Sequence, residues 1–300
     1  MAYLWILTTL VASVAQTARN AMQRSLTETL GTVGASQVRF LYGFPFALLF
    51  LLAVSQIGGE AAPAATGRYL AWVLGGAVTQ ILATVLMLAT MRERSFAVTT
   101  AYIKTEPVQV AIFGLLFLGD HLTLGGALAI VVATAGVVMM AVKPGSPGLT
   151  AAGLRPAVLG IVAGAFFALS AIGFRGAILT LESGSFVLRA TTTLAWSLGM
   201  QTALLVVWLG LFDRPALMKS FGAWRPSLMA GFAGAFASQF WFLGFSLTSA
   251  ANVRTLALVE VLLAQAVSKR LFGQETTARE IIGMTLIVGG VVLLLWTHGT

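Results

Sequence analysis

Lys104, Glu106, Arg254 and Glu260 stand inside long apolar runs. An ionised group withdrawn from water costs several kcal/mol unless a partner or trapped water compensates it. Such residues persist when they pair, face a wet cavity or do chemistry. Lys104 and Glu106 lie two positions apart, so on an ideal helix they point about 200° away from each other. They do not pair directly, and each needs a partner elsewhere or a water-filled space. Glu106 or Lys104 is suited to hold the ammonium or carboxylate of an amino acid, or to carry a proton. The alternative is a buried ion pair that fixes helix packing. Glu260 and Arg254 offer the same choices, so Glu106, Glu260 and Arg254 are the candidates for coupling or ion pairing. Pro107 follows Glu106. It has no N–H and leaves a carbonyl free near Ile103, so a kink is expected there. Arg39 and Arg189 also fall inside apolar runs.

A cargo with an aromatic ring would want π-faces and a few hydrogen bonds beside those charges. Tyr102 lies one turn from Glu106, Ser170 lies near Phe166 and Phe167, and Gln239 and Trp241 flank Phe240, with Phe242 next. Gln80 lies in the middle of another run. The substrate-binding candidates are therefore Lys104, Glu106, Tyr102, Gln80, Ser170, Gln239 and Trp241. Most of the other phenylalanines must pack or face outward. Catalysis has little to work with. There is no cysteine, and the only histidines are His121 and His298. No metal cluster, nucleophile–base pattern, Walker loop or dinucleotide-binding glycine pattern is present. The expectation is no enzyme, no cofactor, no metal and no nucleotide.

The elements that position these residues follow from composition. Hydrophobic residues make up 58% of the chain and charged residues 9%, against roughly 25% charge in a soluble domain. Apolar runs of about 18 or more residues recur, which is the pattern of membrane-spanning helices. The alternating ~10-residue segments of a membrane β-barrel are missing. In hydrocarbon the backbone must satisfy its own hydrogen bonds, and helices do so. A net charge of +8 then reads as basic loops beside anionic lipid, not as a nucleic-acid surface. Residues 1–17 lack a basic start and read as a permanent span, not a signal peptide.

Ten spans are expected, at about 2–23, 34–56, 69–91, 96–118, 122–142, 156–180, 185–211, 224–247, 251–272 and 278–297. A Pro- and Gly-rich linker, Val142-Lys143-Pro144-Gly145-Ser146-Pro147-Gly148, divides them five and five. The domains are 1–142, a linker 143–155, and 156–300. A shift of 154 positions sets Glu106 on Glu260, Gly119 on Gly273, Thr123 on Thr277, and Gly136-Val137-Val138 on Gly290-Val291-Val292. Lys and Arg gather in the odd-numbered loops: Arg24; Arg92 and Arg94; Lys143 and Arg155; Arg214, Lys219 and Arg225; Lys269, Arg270 and Arg279. Those loops are expected on the cytoplasmic side, with both termini opposite. Five spans per half then make the repeats inverted, as in many secondary transporters. Close helix crossings are expected at Gly160 and Gly164, Gly75-Gly76, Gly125-Gly126 and Gly289-Gly290. Tyr3, Trp5, Tyr69, Trp72, Trp208, Trp224 and Trp296 read as interfacial anchors. Asp120, Glu275 and Glu280 read as helix caps.

The Glu-Pro of the fourth span, the turn Gly119-Asp120-His121-Leu122-Thr123 and its counterpart Gly273-Gln274-Glu275-Thr276-Thr277 resemble the drug/metabolite transporter superfamily, EamA type. Within it the chain looks most like aromatic amino-acid exporters of the YddG type. The second half departs from the pattern, with Val261 in place of the proline and Gln274 in place of an acid. The resemblance implies an all-α membrane protein of ten helices, two inverted five-helix repeats around a central cavity. It implies export of amino acids, aromatic ones favoured, from the cytoplasm by alternating access. The same fold with another small metabolite or a cationic drug as cargo is the alternative, as is a non-transporting membrane subunit. The partners expected are a small-molecule substrate and the lipid bilayer, with no nucleic acid and a monomeric chain. The place expected is a bacterial-type inner membrane.

Overall fold

The computed structural model describes residues 3–93, 102–141, 151–262 and 277–299. Among these residues all regular structure is helical. The elements are α1 (Leu4–Gly58), α2 (Gly67–Glu93), α3 (Glu106–Phe113), which runs into a π-helical turn (Gly114–Leu118), and α4 (Leu124–Ala141). They continue with α5 (Ala151–Thr180), α6 (Phe186–Phe212), α7 (Arg214–Gly222), α8 (Trp224–Leu247), α9 (Ala250–Leu256) and α10 (Ala278–Gly299). Among the described residues six stretches are long and apolar enough to cross a membrane: Leu26–Gly58, Gly67–Met91, Ala157–Thr180, Phe186–Phe212, Trp224–Leu247 and Ala278–Thr297. Glu106–Leu118 and Leu124–Met140 are shorter apolar helices. Large apolar side chains point outward all along them, among them Leu52, Leu116, Val131, Leu211 and Val292. Such an apolar exterior suits hydrocarbon and not water. The linker 142–148, Arg94, Lys269, Arg270 and the turn 273–276 lie outside the described residues.

The first two expected spans meet without a loop. The helix runs unbroken in hydrogen-bonding terms from Leu4, but Gly31 has φ 71° and ψ 177°. Gln23 Nε2 donates to the carbonyl of Ala35 at 3.0 Å. Twelve residues of straight helix would hold those groups about 18 Å apart. The chain therefore folds back at Gly31, a backbone conformation that side-chain-bearing residues rarely adopt.

Packing follows small residues. α4 and α10 approach so closely that a Cβ on Gly136 would meet the Gly283 carbonyl at 2.5 Å, and one on Gly290 would meet Ala133 at 2.7 Å. α2 and α5 touch at Gly76 and Gly173, where the corresponding distance is 2.8 Å. Gly160 and Gly164 of α5 receive Tyr102 and the backbone of Ile103. Gly125 faces Thr297. Gly75 and Gly289, expected at crossings, have no heavy atom near their missing side chains; they lie on open helix faces. Gly126 meets only Leu122 and Thr123 of its own helix entry.

Other expectations are corrected in the same way. Tyr3, Trp208, Trp224 and Trp296 are exposed, as anchors should be, but Trp5 and Tyr69 are buried. The Tyr69 hydroxyl reaches Thr193 Oγ1 at 3.4 Å, and Trp72 packs over Gly176. Asp120 does not cap a helix; it pairs with Arg175 at 2.7 Å. Glu280 does cap, accepting from the Thr277 N–H at 2.8 Å. Helix α7 fills what reads in sequence as a basic loop. Its start is fixed by Asp213, whose carboxylate accepts from the Ala216 N–H at 3.1 Å.

Candidate functional site: facing helix breaks and a charged cavity

The segment leading into α3 is broken. Residues 102 and 103 are helical, 104 and 105 form a turn, and helix resumes at Glu106. Thr105 Oγ1 donates to the Tyr102 carbonyl at 2.8 Å. Pro107 sits in the first turn of α3 and has no N–H for the carbonyl of Ile103. The kink expected from Pro107 is thus a full break, and Lys104 lies in it. A second break follows α9. Ala257 and Leu258 form a turn before helix resumes over residues 259–262. The N–H groups of Leu258, Glu260 and Val261 donate three residues back, each at 3.1 Å.

Charges cross between the breaks. Lys104 Nζ pairs with Glu260, and Arg254 Nε lies 3.0 Å from Glu106 Oε1. The second contact is an ion pair without hydrogen-bond alignment. The Arg254 guanidinium also lies over the Trp241 ring, 4.4 Å from its centroid, and 5.4 Å from that of Phe245. Trp241 Nε1 in turn donates to Gln16 Oε1 at 2.8 Å. Arg254 is held from three sides.

These pairs line a cavity of about 30 Å³. One water needs about 10–15 Å³ on this measure, so there is room for about two. Gln16, Arg19 and Asn20 of α1 close one side, and Met87 and Met91 of α2 with Phe167 of α5 form apolar walls. Arg19 is 1% exposed. Its Nε and Nη2 share Asn20 Oδ1 at 3.2 and 2.5 Å, and its Nη1 has no partner.

Residues 3–142 match the EamA-like transporter family. That part of the chain is an EamA-like transporter domain. The match stops short of the chain's midpoint, and the family it matches is one of membrane transporters of the drug/metabolite type. A solved crystal structure shares its fold with a TM-score of 0.69 over 97% of this chain and 96% of that chain, at 14% identity. No curated protein matches the chain.

Of the residues singled out in the sequence, Lys104, Glu106, Arg254 and Glu260 line the cavity, two of them within the EamA-like part, and the Trp241 ring lies against Arg254. The remaining candidates lie elsewhere. Tyr102 packs on Gly160. Gln80 Oε1 accepts from Gln201 Nε2 at 2.7 Å, and Gln239 Nε2 donates to Thr191 Oγ1 at 2.8 Å. Both bonds tie α6 to a neighbouring helix. Ser170 donates to the carbonyl of Phe167 within its own helix. Arg39 Nη1 donates to Thr84 Oγ1 at 3.2 Å, and Arg189 reaches the Leu181 carbonyl at 3.4 Å. Sequence reasoning did not single out Gln16, Arg19 and Asn20. Arg19 carried the same signal as Lys104, a charge inside an apolar run.

Proposed function

We propose that the chain exports amino acids, aromatic ones favoured, from the cytoplasm by alternating access around this cavity. The observation that carries the proposal is the convergence of Glu106, Glu260, Lys104, Arg254 and Arg19 on one small space with Met87, Met91 and Phe167 as walls. An amino acid presents both signs of charge and an apolar tail, and the lining offers all three complements. Broken helices at a repeat interface are where secondary transporters place their substrates.

The packing supports two inverted repeats. α1 lies mainly on α8 and α2 on α5. Relating spans one and two to six and seven, and three to eight, turns the first contact into the second. α4 meets α10, and α3 meets α9, as fifth with tenth and fourth with ninth. Two halves related this way can rock about their shared contacts. Opening either side would separate the breaks and exchange the pairs Lys104–Glu260 and Arg254–Glu106 for contacts with cargo and water. The small cavity fits a state closed around the centre. The basic loops favour an orientation with both termini on the outer face of a bacterial-type inner membrane.

Counterflow of labelled phenylalanine or tryptophan in liposomes holding the purified chain tests this reading. Saturable exchange is expected, with Lys104→Ala and Glu106→Gln each reducing it at least tenfold while leaving the chain folded. Full exchange by both variants would refute the site, and its absence in the parent would refute the cargo.

A further inference from the structure

Charge is not balanced around the cavity. Glu106 and Glu260 are buried there with Lys104 and Arg254, and each acid is taken by a base of the other half. Two further cations lie alongside. Arg19 and Arg39, 1% and 2% exposed, have no ion-pair partner among the described residues. Their stems flank the same glycine of α8: a Cβ on Gly234 would meet Arg39 Cγ at 3.2 Å and Arg19 Cδ at 3.5 Å. Arg39 is turned to Thr84 and rests over the Phe40 ring, 5.0 Å from its centroid. Arg19 alone of the two reaches the cavity, with Asn20 fixing one edge of its guanidinium and Nη1 left unpartnered.

Two like charges so placed repel each other and lack the counter-charge that a buried guanidinium needs. An anion entering the cavity supplies it. A cargo ammonium meets carboxylates whose charge is already matched, Glu260 by Lys104 and Glu106 by Arg254; Glu260 Oε2 lacks a hydrogen-bond partner, but neither acid lacks an ion-pair partner. The geometry points to Arg19 as the group that receives the carboxylate of an apolar organic acid, with an amino group on the cargo dispensable. This deepens the transport reading by naming the charge that the site requires. Guanidinium is suited to the role because it donates in a planar fork to a carboxylate. Arg19 lines the cavity with its Nη1 still unpartnered, and the methionines and Phe167 beside it receive the apolar part.

Binding to the purified full chain, measured by titration calorimetry, tests the inference apart from transport. The probes are 3-phenylpropionate, an acid without an amine, and phenethylamine, an amine without an acid. The parent is expected to bind the acid at least tenfold more tightly than the amine. Arg19→Gln should weaken acid binding about 10- to 100-fold, the range of a lost charge-assisted hydrogen bond, and leave amine binding unchanged. Arg19→Lys should keep the preference for acid at reduced affinity, and serves if Arg19→Gln does not fold. Equal binding of the two probes by the parent, no binding of the acid, or acid affinity unchanged in Arg19→Gln would each overturn the inference. Acid binding that follows Arg19 in a chain without counterflow would remove the transport reading and leave this one standing.

Discussion

The break at residues 104–105 and the break at 257–258 occupy corresponding places in the two halves, within one residue of the 154-residue shift. They are made differently. The first uses Pro107, which withholds an N–H, and Thr105, whose hydroxyl takes up the Tyr102 carbonyl. The second has valine where the first has proline, and tightens its backbone through bonds to the third residue back. Their bases differ as well. Lys104 sits in its break and meets one acid. Arg254 sits on the helix before its break and is gripped by an acid and two rings. The likeness is in where the helices stop and which acid follows. The difference gives one half a flexible point charge and the other a rigid, buttressed one.

The largest effect is expected where rigidity is greatest. Arg254→Ala removes the Glu106 partner and the two cation–π contacts, leaving the buried Glu106 carboxylate without its ion pair. Breaking a buried pair in this way costs about 3–5 kcal/mol. Thermal unfolding in detergent should show a fall larger than for any single change at the other pair. Arg254→Lys should recover only part of it, since an ammonium keeps the charge but loses the planar stacking. Full recovery would mean that the rings contribute nothing.

Lys104→Met should cost less, about 1.5–3 kcal/mol, the value of a lost hydrogen bond to a charged group. Unlike Arg254, Lys104 makes no cation–π contact among the described residues, so only the ion pair is lost, and Glu260, left behind, borders a cavity with room for water. Adding Glu260→Gln should restore most of that stability, because no unpaired charge remains. The double variant should still fail in counterflow. A double variant as unstable as the single one would show that Glu260 is held by something other than Lys104.

How far the sequence discloses all this depends on the kind of evidence. Helices of membrane length are legible because hydrocarbon demands long apolar runs, and α2, α6 and α8 fall within two residues of their expected limits. The reversal at Gly31 was hidden, because a turn made by one glycine leaves no polar loop to read. Helix α7 was hidden for the opposite reason, being polar and short. At the site, the cost of burying charge singled out Lys104, Glu106, Arg254 and Glu260. That Lys104 meets Glu260 and Arg254 meets Glu106 is a matter of tertiary packing, which spacing along one helix cannot supply. Gln80 and Gln239 gave the same polar signal as cavity residues, yet their amides are spent on α6.

Those amides provide a control on the comparison. Gln201→Leu deletes the bond between α6 and Gln80 outside the cavity. The cost should be about 1 kcal/mol, since interhelical hydrogen bonds in membranes average under that and one buried amide loses its partner. Counterflow per folded molecule should be unchanged. A transport defect as large as that of Lys104→Met would extend the site beyond the two breaks.

The smallest effect is expected at the proline itself. Pro107→Ala gives residue 107 an N–H, and the carbonyl of Ile103 becomes available to it as an ordinary helical acceptor. Were proline the cause of the break, helix would then run through Lys104 and Thr105, and Lys104 would swing away from Glu260. The second half argues otherwise, because it breaks with valine at the corresponding position. Helix continuity there loses to the ion pairs that cross between the halves, and the same pairs act on the first break. Pro107→Ala should therefore keep the break and change stability by under about 1 kcal/mol, the usual scale of proline's effect through the unfolded chain. The readout that decides is a double-mutant cycle between Lys104→Met and Glu260→Gln in the Pro107→Ala background. Coupling equal to that in the parent means that the charges hold the break open. Coupling that vanishes means that the proline does.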